Sequence, residues 1–219
     1  MRDLVIFGVG DTAELARFYF ERDTHYRVVA YALDQAFIEA DTFDGLPVIP
    51  FETLPQVFPP SEVDCFVALG YSGLNQLRKS KYFAVKEQGY NLPSYVSPDA
   101  SIMSADIGDN CFVLEGNVLQ KGVSIGVNVT LWSGNHIGHH TIVGDHAFIA
   151  SHAVISGRVS IGSACFLGVN ATVRDHVIIG DRCLIGAGSL ILGHCEPDGL
   201  YVGNATDRSK VPSSRIKTI

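Results

Sequence analysis

The sequence predicts a small Rossmann-like α/β domain with a parallel sheet over residues 1–92, followed over 93–219 by an all-β left-handed parallel β-helix with a carboxy-terminal cap. Three observations predict it. From Ile107 to Ile191 an aliphatic residue recurs at every sixth position without a missed step, beginning Ile107, Val113, Leu119, Ile125 and Leu131. Four places after each stands a small or compact residue, from Cys111 and Asn117 to Cys183 and Ser189. Before residue 92 the order is instead strand, glycine turn, helix, given twice. A helix repeats every ~3.6 residues and a strand every ~2, so a six-residue period requires short flat strands joined by tight corners.

The first strand is the apolar run Leu4 to Phe7. Gly8 to Thr12 forms a turn, Ala13 to Arg22 an amphipathic helix, and Arg27 to Leu33 the second strand, which completes a βαβ opening. After a stretch rich in proline (Pro47, Pro50, Pro55, Pro59, Pro60) come a strand from Asp64 to Leu69, the turn Gly70-Tyr71-Ser72, and a helix from Leu74 to Gln88. The join falls at Leu92-Pro93-Ser94, and the solenoid starts near Val96. Three hexads close one triangular coil, and strand pairing stacks successive coils about 4.8 Å apart. Glycine directly follows the aliphatic residue at 108, 126, 138, 144, 162, 168, 180 and 186, as expected where the backbone turns sharply and side chains are crowded out. His194 to Ile219 lose the sixfold pattern and are expected to cap the last coil.

A net charge of -7 without a dense Lys/Arg cluster argues against nucleic acid or an anionic membrane as partner. No apolar run approaches the roughly 20 residues of a membrane span, and the start lacks a cleavable signal, so the expected location is cytoplasmic. The five cysteines form no Cys-x-x-Cys pair and read as compact core residues.

Spacing by eighteen tells which side chains stack. One column runs Lys121, His139, Gly157, Asp175, a base with an empty place after it; another puts Asn117 and Asn135 inside, where their amides bond along the stack. Five of the eight histidines fall between His136 and His152. They read as solvated corner residues, as a metal site, or as a general base. A metal site lacks ligand spacing, and no two of these histidines stand five apart as in the prism-shaped carbonic anhydrases. His139 suits the base, because neutral imidazole takes a proton from an attacking amine or hydroxyl near neutral pH. In the first half, Gly8-x-Gly10 with Asp11 and Thr12 presents free N–H groups to a phosphate, and Asp34 stands where it would meet a ribose hydroxyl. Ala13 replaces the third glycine of a dinucleotide fingerprint.

The hexapeptide prism behind a Gly-x-Gly strand-turn-helix half resembles, over nearly the whole chain, the NeuD/PglD-type sugar acetyltransferases of bacterial surface-polysaccharide pathways. Ile137-Gly138-His139-His140 lines up with that family's Ile-Glu-His-Glu segment, which implies His139 as catalytic base; His140 stands where an acidic residue usually orients it. Gly157 matches a glycine lining the acetyl-CoA site, and Gly168, Asn170, Gly186 and Gly188 lie in turns that match its cofactor side. Gly203 matches a later turn, with Ala205 in place of the family's proline. The resemblance further implies acetyl-CoA as co-substrate with no metal, a homotrimer with sites between subunits, and a nucleotide-linked sugar held by the first half at Gly8, Gly10, Asp11, Thr12, Asp34, Gly70 and Tyr71. Without a ligand, that half would be a vestigial domain that only packs on the prism. The expected reaction is N-acetylation of a nucleotide-linked amino-deoxy sugar. Alternatives are O-acetylation of a sialic acid or other sugar hydroxyl, and a non-catalytic nucleotide-sugar-binding scaffold.

Overall fold

A computed structural model describes residues 1–205, 208, 210 and 213–215. Part of the expected cap, residues 206, 207, 209, 211, 212 and 216–219, lies outside the described residues. The first domain is a sheet of β1 (Arg2–Phe7), β2 (Tyr26–Leu33), β3 (Thr42–Phe43), β4 (Leu46–Pro50) and β5 (Val63–Val67) in the order β3-β4-β2-β1-β5. All neighbours are parallel except the short β3–β4 hairpin. The prolines of the 47–60 stretch hide β4 from sequence patterning. Pro47 and Pro50 are accommodated near the sheet's margin, where a missing N–H costs little.

Helix α1 (Asp11–Asp23) buries Ala13, Ala16 and Phe20, spaced three and four residues apart, against one sheet face. Helix α2 is a single turn, Leu54–Val57, and α3 (Gln76–Glu87) packs Tyr82 and Val85 against the other face. Strand β1 is flanked by β2 and β5, and the segments leaving β1 and β5 diverge at their carboxyl ends, the crevice where open α/β sheets bind ligands.

From Tyr95 onward the chain winds a triangular prism of three parallel sheets. Face I has seven strands, from Tyr95–Val96 through Phe148–Ile149 to Leu200–Tyr201; face II has six, including His136–Ile137; face III has five, including Ile142–Val143. The register is eighteen residues per coil, as in Val118↔His136, His136↔Val154 and Val154↔Thr172. The aliphatic series and the compact residues four places on form one dry core. Asn117 and Asn135 bond along the stack, through backbone: Asn117 donates to the carbonyls of Leu131 and Trp132, and Asn135 accepts from the Ala153 N–H at 2.7 Å.

The glycines after the aliphatic positions do not supply the turn conformation. Left-handed φ instead falls three residues after each aliphatic from Ile107 to Ile185, at Asn110, Gly116, Gly122, Asn128, Gly134, His140, His146, His152, Arg158, Ala164, Asn170, His176, Arg182 and Gly188. The glycines directly after the aliphatics are there for contact between coils: a Cβ on Gly144 would lie 2.7 Å from Gly162, and one on Gly108 2.7 Å from the Gly126 oxygen.

The prism also continues past the end of the sixfold pattern. Cys195 bridges Ile179 on face III, and Leu200–Tyr201 pairs with Leu184–Ile185 on face I. The spacing there falls to sixteen residues, so the last corner is two residues shorter.

The first domain saddles face I and shares its core. Tyr95, Phe112 and Leu114 pack with Leu4, Ile6, Phe20 and Phe66. At the unpaired but buried edge of β5 the Asn110 amide stands in for a further strand: its Oδ1 accepts from the Val67 N–H at 2.8 Å and its Nδ2 donates to the Val67 carbonyl at 3.3 Å. An amide ladder then climbs the edge between faces III and I, from Asn110 to Asn128 at 2.8 Å and on to His146 Nδ1 at 2.9 Å.

Candidate active site

His139 is exposed at the edge between faces II and III. Its backbone N–H donates to Gln120 Oε1 from the coil before, at 2.9 Å. The imidazole rises toward the next coil, where a Cβ on Gly157 would lie 2.5 Å from Nε2. The place after the base, empty in the column read from the sequence, therefore admits the histidine ring itself. His140 takes the orienting position: its Nδ1 lies 3.1 Å from His139 Nδ1, and its ring rests against Gly122. One of these two nitrogens donates and the other accepts. When His139 Nδ1–H is the donor, its Nε2 is a bare acceptor pointing at Gly157.

Among the described residues the Gly157 N–H meets no protein acceptor. At other corners of this kind, the N–H of Val127 and that of Ser163 donate to Asp145 and Asp181 of the following coil, at 2.9 and 2.8 Å, whereas those of Ser133, Ser151 and Val169 have, like that of Gly157, no protein acceptor among the described residues. Asp175 stands above Gly157 in the same relation but lies beside His176, 3.7 Å away. A free donor thus sits one coil above a free base. That combination can take a proton and stabilise a developing oxyanion.

The other histidines have structural places. His146 is buried, bonded to Asn128, and burial pushes it down to about 4. His152 lies over Gly134, at a left-handed corner. Among the described residues no group of three or more His, Cys, Asp or Glu side chains could hold a metal ion.

The remaining cofactor candidates are not beside His139. Gly168, Asn170, Gly186, Gly188 and Gly203 follow strands of face I and line the edge between faces I and II. Asn170 and Gly188 occupy left-handed corners. A Cβ on Gly168 would lie 2.5 Å from the Ala187 nitrogen, and one on Gly203 would overlap the Ala187 carbonyl oxygen. The prism is convex, so the II–III and I–II edges point away from each other.

In the first domain Gly8 and Gly10 have φ of 126° and 149°, and a Cβ on Gly8 would lie 2.7 Å from the Ala68 oxygen. The Gly10 carbonyl takes the Ala13 and Glu14 N–H groups, which leaves those of Asp11 and Thr12, at the start of the helix, facing outward. Gly10 to Thr12 and Ala68 to Gly70 enclose a cleft of about 430 Å³ at the crevice between β1 and β5. Asp34 is set apart from it: Lys81 Nζ donates to its Oδ1 at 2.6 Å, and both line a neighbouring small cavity.

Two cavities were not anticipated. One, of about 410 Å³, is walled by Val9, Leu33, Phe37, Phe43 and Val48 beside the cleft. The other, of about 340 Å³, lies between the domains, where Tyr71 reaches Phe148 and Phe166 and Trp132 packs beside Phe148. A sequence signal for the second existed. Phe148 and Phe166 precede aliphatic positions by one residue and so must point outward, one coil apart, where a solvated strand would carry polar residues.

Residues 158–193 match the bacterial transferase hexapeptide family model, described as six repeats. A sequence search of curated proteins gave no match. Among solved structures, the chain is similar to a perosamine N-acetyltransferase from Caulobacter crescentus, solved as a histidine-to-asparagine variant with CoA and GDP-perosamine (25% identity, TM-score 0.81, 92% of this chain and 93% of that one). It is similar to the acetyltransferase domain of PglB from Neisseria gonorrhoeae (25% identity, TM-score 0.79, 93% and 97%). WeeI from Acinetobacter baumannii shares the fold at 15% identity (TM-score 0.64, 87% and 94%). Hexapeptide transferase repeats and acetyltransferase neighbours spanning the chain agree with the resemblance read from the sequence.

Proposed function

We propose that this chain, an acetyltransferase of the hexapeptide-repeat, left-handed β-helix class, moves the acetyl group of acetyl-CoA directly onto the amine of a nucleotide-linked amino-deoxy sugar, serving bacterial surface-glycan synthesis. The observation that carries it is the exposed His139, its Nε2 against Gly157 and the unpartnered Gly157 N–H one coil above. The complex of the C. crescentus enzyme with CoA and GDP-perosamine supports the choice of substrates.

His139 Nε2 takes a proton from the amine as the amine attacks the thioester carbonyl. The Gly157 N–H faces the oxyanion, a contribution worth about 3 kcal/mol in sites of this kind. The intermediate collapses with loss of the CoA thiolate, which recovers the proton from the imidazolium. His140 accepts from His139 Nδ1–H and so keeps the tautomer whose Nε2 is free. In the first domain, the diphosphate lies on the Asp11 and Thr12 amides and the base in the apolar cavity that shares Val9 with that cleft. The edge bearing Gly168 and Gly186 comes to the thioester from a second copy, within a homotrimer.

Thiol release from acetyl-CoA, measured across nucleotide amino sugars and their hydroxyl counterparts, tests the reading. Release is expected with amines, and His139→Asn should lower it by a thousandfold or more. His140→Ala should lower kcat with little change in the KM for acetyl-CoA. Activity untouched by His139→Asn refutes the assignment, and transfer confined to hydroxyl acceptors replaces N- by O-acetylation.

A further inference from the structure

We infer that His139 and His140 together form a chelate for a divalent cation of the zinc class, and that binding this ion switches off the base; the second part rests on the general-base reading above. Both rings are exposed, their planes stand at 80°, and their Nδ1 atoms face each other at 3.1 Å. Two imidazole nitrogens on one tetrahedral zinc ion, each about 2.0–2.1 Å from it, lie about 3.3 Å apart, so the pair needs to open only slightly to admit one. Each neutral imidazole keeps a lone pair on one nitrogen whichever tautomer it holds, so an ion can take the place of the proton that the two Nδ1 atoms share. A carboxylate at position 140 would instead hold that proton on His139.

Neighbouring coils fix both rings. His140 stands at a left-handed corner with φ 58°, its N–H donates to the Lys121 carbonyl at 3.1 Å, and its ring fills the gap over Gly122, where a Cβ would lie 3.0 Å from Cδ2. His139 has its N–H on Gln120 Oε1 and its Nε2 in the gap at Gly157. One glycine below and one above thus make room for a ring each, and little side-chain freedom remains to be lost when an ion joins them. Among the described residues no third His, Cys, Asp or Glu side chain completes the set. Water fills the ion's other positions, and the exposed Lys121 and Arg158 on the flanking coils oppose its charge, so the affinity is micromolar and well below that of a four-ligand structural site.

Occupation has a fixed chemical consequence. The ion takes the Nδ1 lone pair of His139, the ring's proton passes to Nε2, and the atom facing Gly157 changes from acceptor to donor. No net proton is lost, and nothing is oxidised or reduced. In that state the imidazole has no lone pair for the amine's proton. Zn²⁺, Ni²⁺ and Cu²⁺ suit imidazole nitrogen, whereas Mg²⁺ and Ca²⁺ seek oxygen and should leave the pair alone.

The test is calorimetry of the full-length protein with zinc chloride alone, beside acetyl transfer followed by chromatography of the acetylated sugar, since zinc binds the released thiol. One ion per chain should bind with micromolar affinity. Saturating zinc should lower transfer by roughly 100-fold or more, the share a general base commonly supplies, and a chelator should restore it. Magnesium chloride should do neither. His140→Asn, which suits the left-handed corner, should lose zinc binding and leave its remaining transfer insensitive to zinc, while His176→Asn, at an equivalent corner, should keep both responses. Zinc binding that is absent, or that survives His140→Asn, overturns the chelate and leaves acetyl transfer standing. Binding at the pair without loss of transfer overturns the switch. A parent that transfers nothing to any acceptor in metal-free buffer refutes the acetyltransferase reading, and the calorimetric comparison of parent and His140→Asn then decides the chelate alone.

Discussion

At the level of single residues, the histidine cluster separates into two kinds of position. His140, His146, His152 and His176 all stand at left-handed corners, where histidine is several-fold commoner than most residues, so their number is a property of the corners. His139 is one place earlier and is the one whose ring enters the gap at Gly157. That pairing was legible from eighteen-residue columns. The left-handed series was not, because five different residue types fill it and only the glycines and asparagines signal such a backbone. His146 allows a test of its structural role. Its folded value of about 4 lies below the ordinary 6.5, so between the two the unfolded chain binds a proton that the folded chain refuses. The stability it contributes is whole above pH ~6.5 and is lost as pH falls toward ~4, up to about 3 kcal/mol. Thermal melts from neutral to acidic pH should show His146→Gln losing less stability than the parent, and parallel curves would mean that His146 titrates normally.

At the level of elements, α3 fastens the domains through a buried cation with no carboxylate paired to it among the described residues. The Arg78 guanidinium donates to the carbonyls of Asn128, His146 and Ala147 and to Asn75 Oδ1, and burial lowers its pKa to about 10. Asn75, left-handed at φ 65°, donates to the carbonyls of Ala164 and Cys165 one coil further on. Partial negative charge on several carbonyls replaces a counter-ion, and each bond to a charged donor contributes about 1.5–3 kcal/mol. Arg78→Met keeps the volume and removes these donors, so it should cost about 3 kcal/mol in chemical denaturation and loosen the domain that carries Tyr71. A cost below about 1 kcal/mol would show that the shared aromatic core alone holds the domains. None of this was readable beforehand. The sequence shows a helix with one more arginine, and only the docked prism edge turns that arginine inward.

At the level of the whole molecule, strict periodicity made the prism legible from Ile107 to Ile191 and also concealed how it is used. Spacing by six assigns every residue to a coil but attaches no meaning to which edge it occupies. His139 and Gly157 fall on the edge between faces II and III, while Gly168, Asn170, Gly186, Gly188 and Gly203 fall on the edge between faces I and II. Edges of a convex prism diverge, so a single chain has no groove that both sets face. In the homotrimer proposed above, one copy's II–III edge would be set against the next copy's I–II edge, a head-to-tail contact repeated three times, which would close this gap. The arrangement predicts complementation between two inactive variants. His139→Asn removes the base and keeps the I–II edge; Val169→Arg blocks that edge at an exposed position and keeps the base. Refolded together in equal amounts, a contact is active only when an intact base meets an intact edge, which random mixing gives for about a quarter of the contacts. Activity near a quarter of the parent's should therefore return when two silent proteins are mixed, with trimers seen by light scattering. Mixed trimers that stay silent would place the whole site within one chain and refute the shared groove.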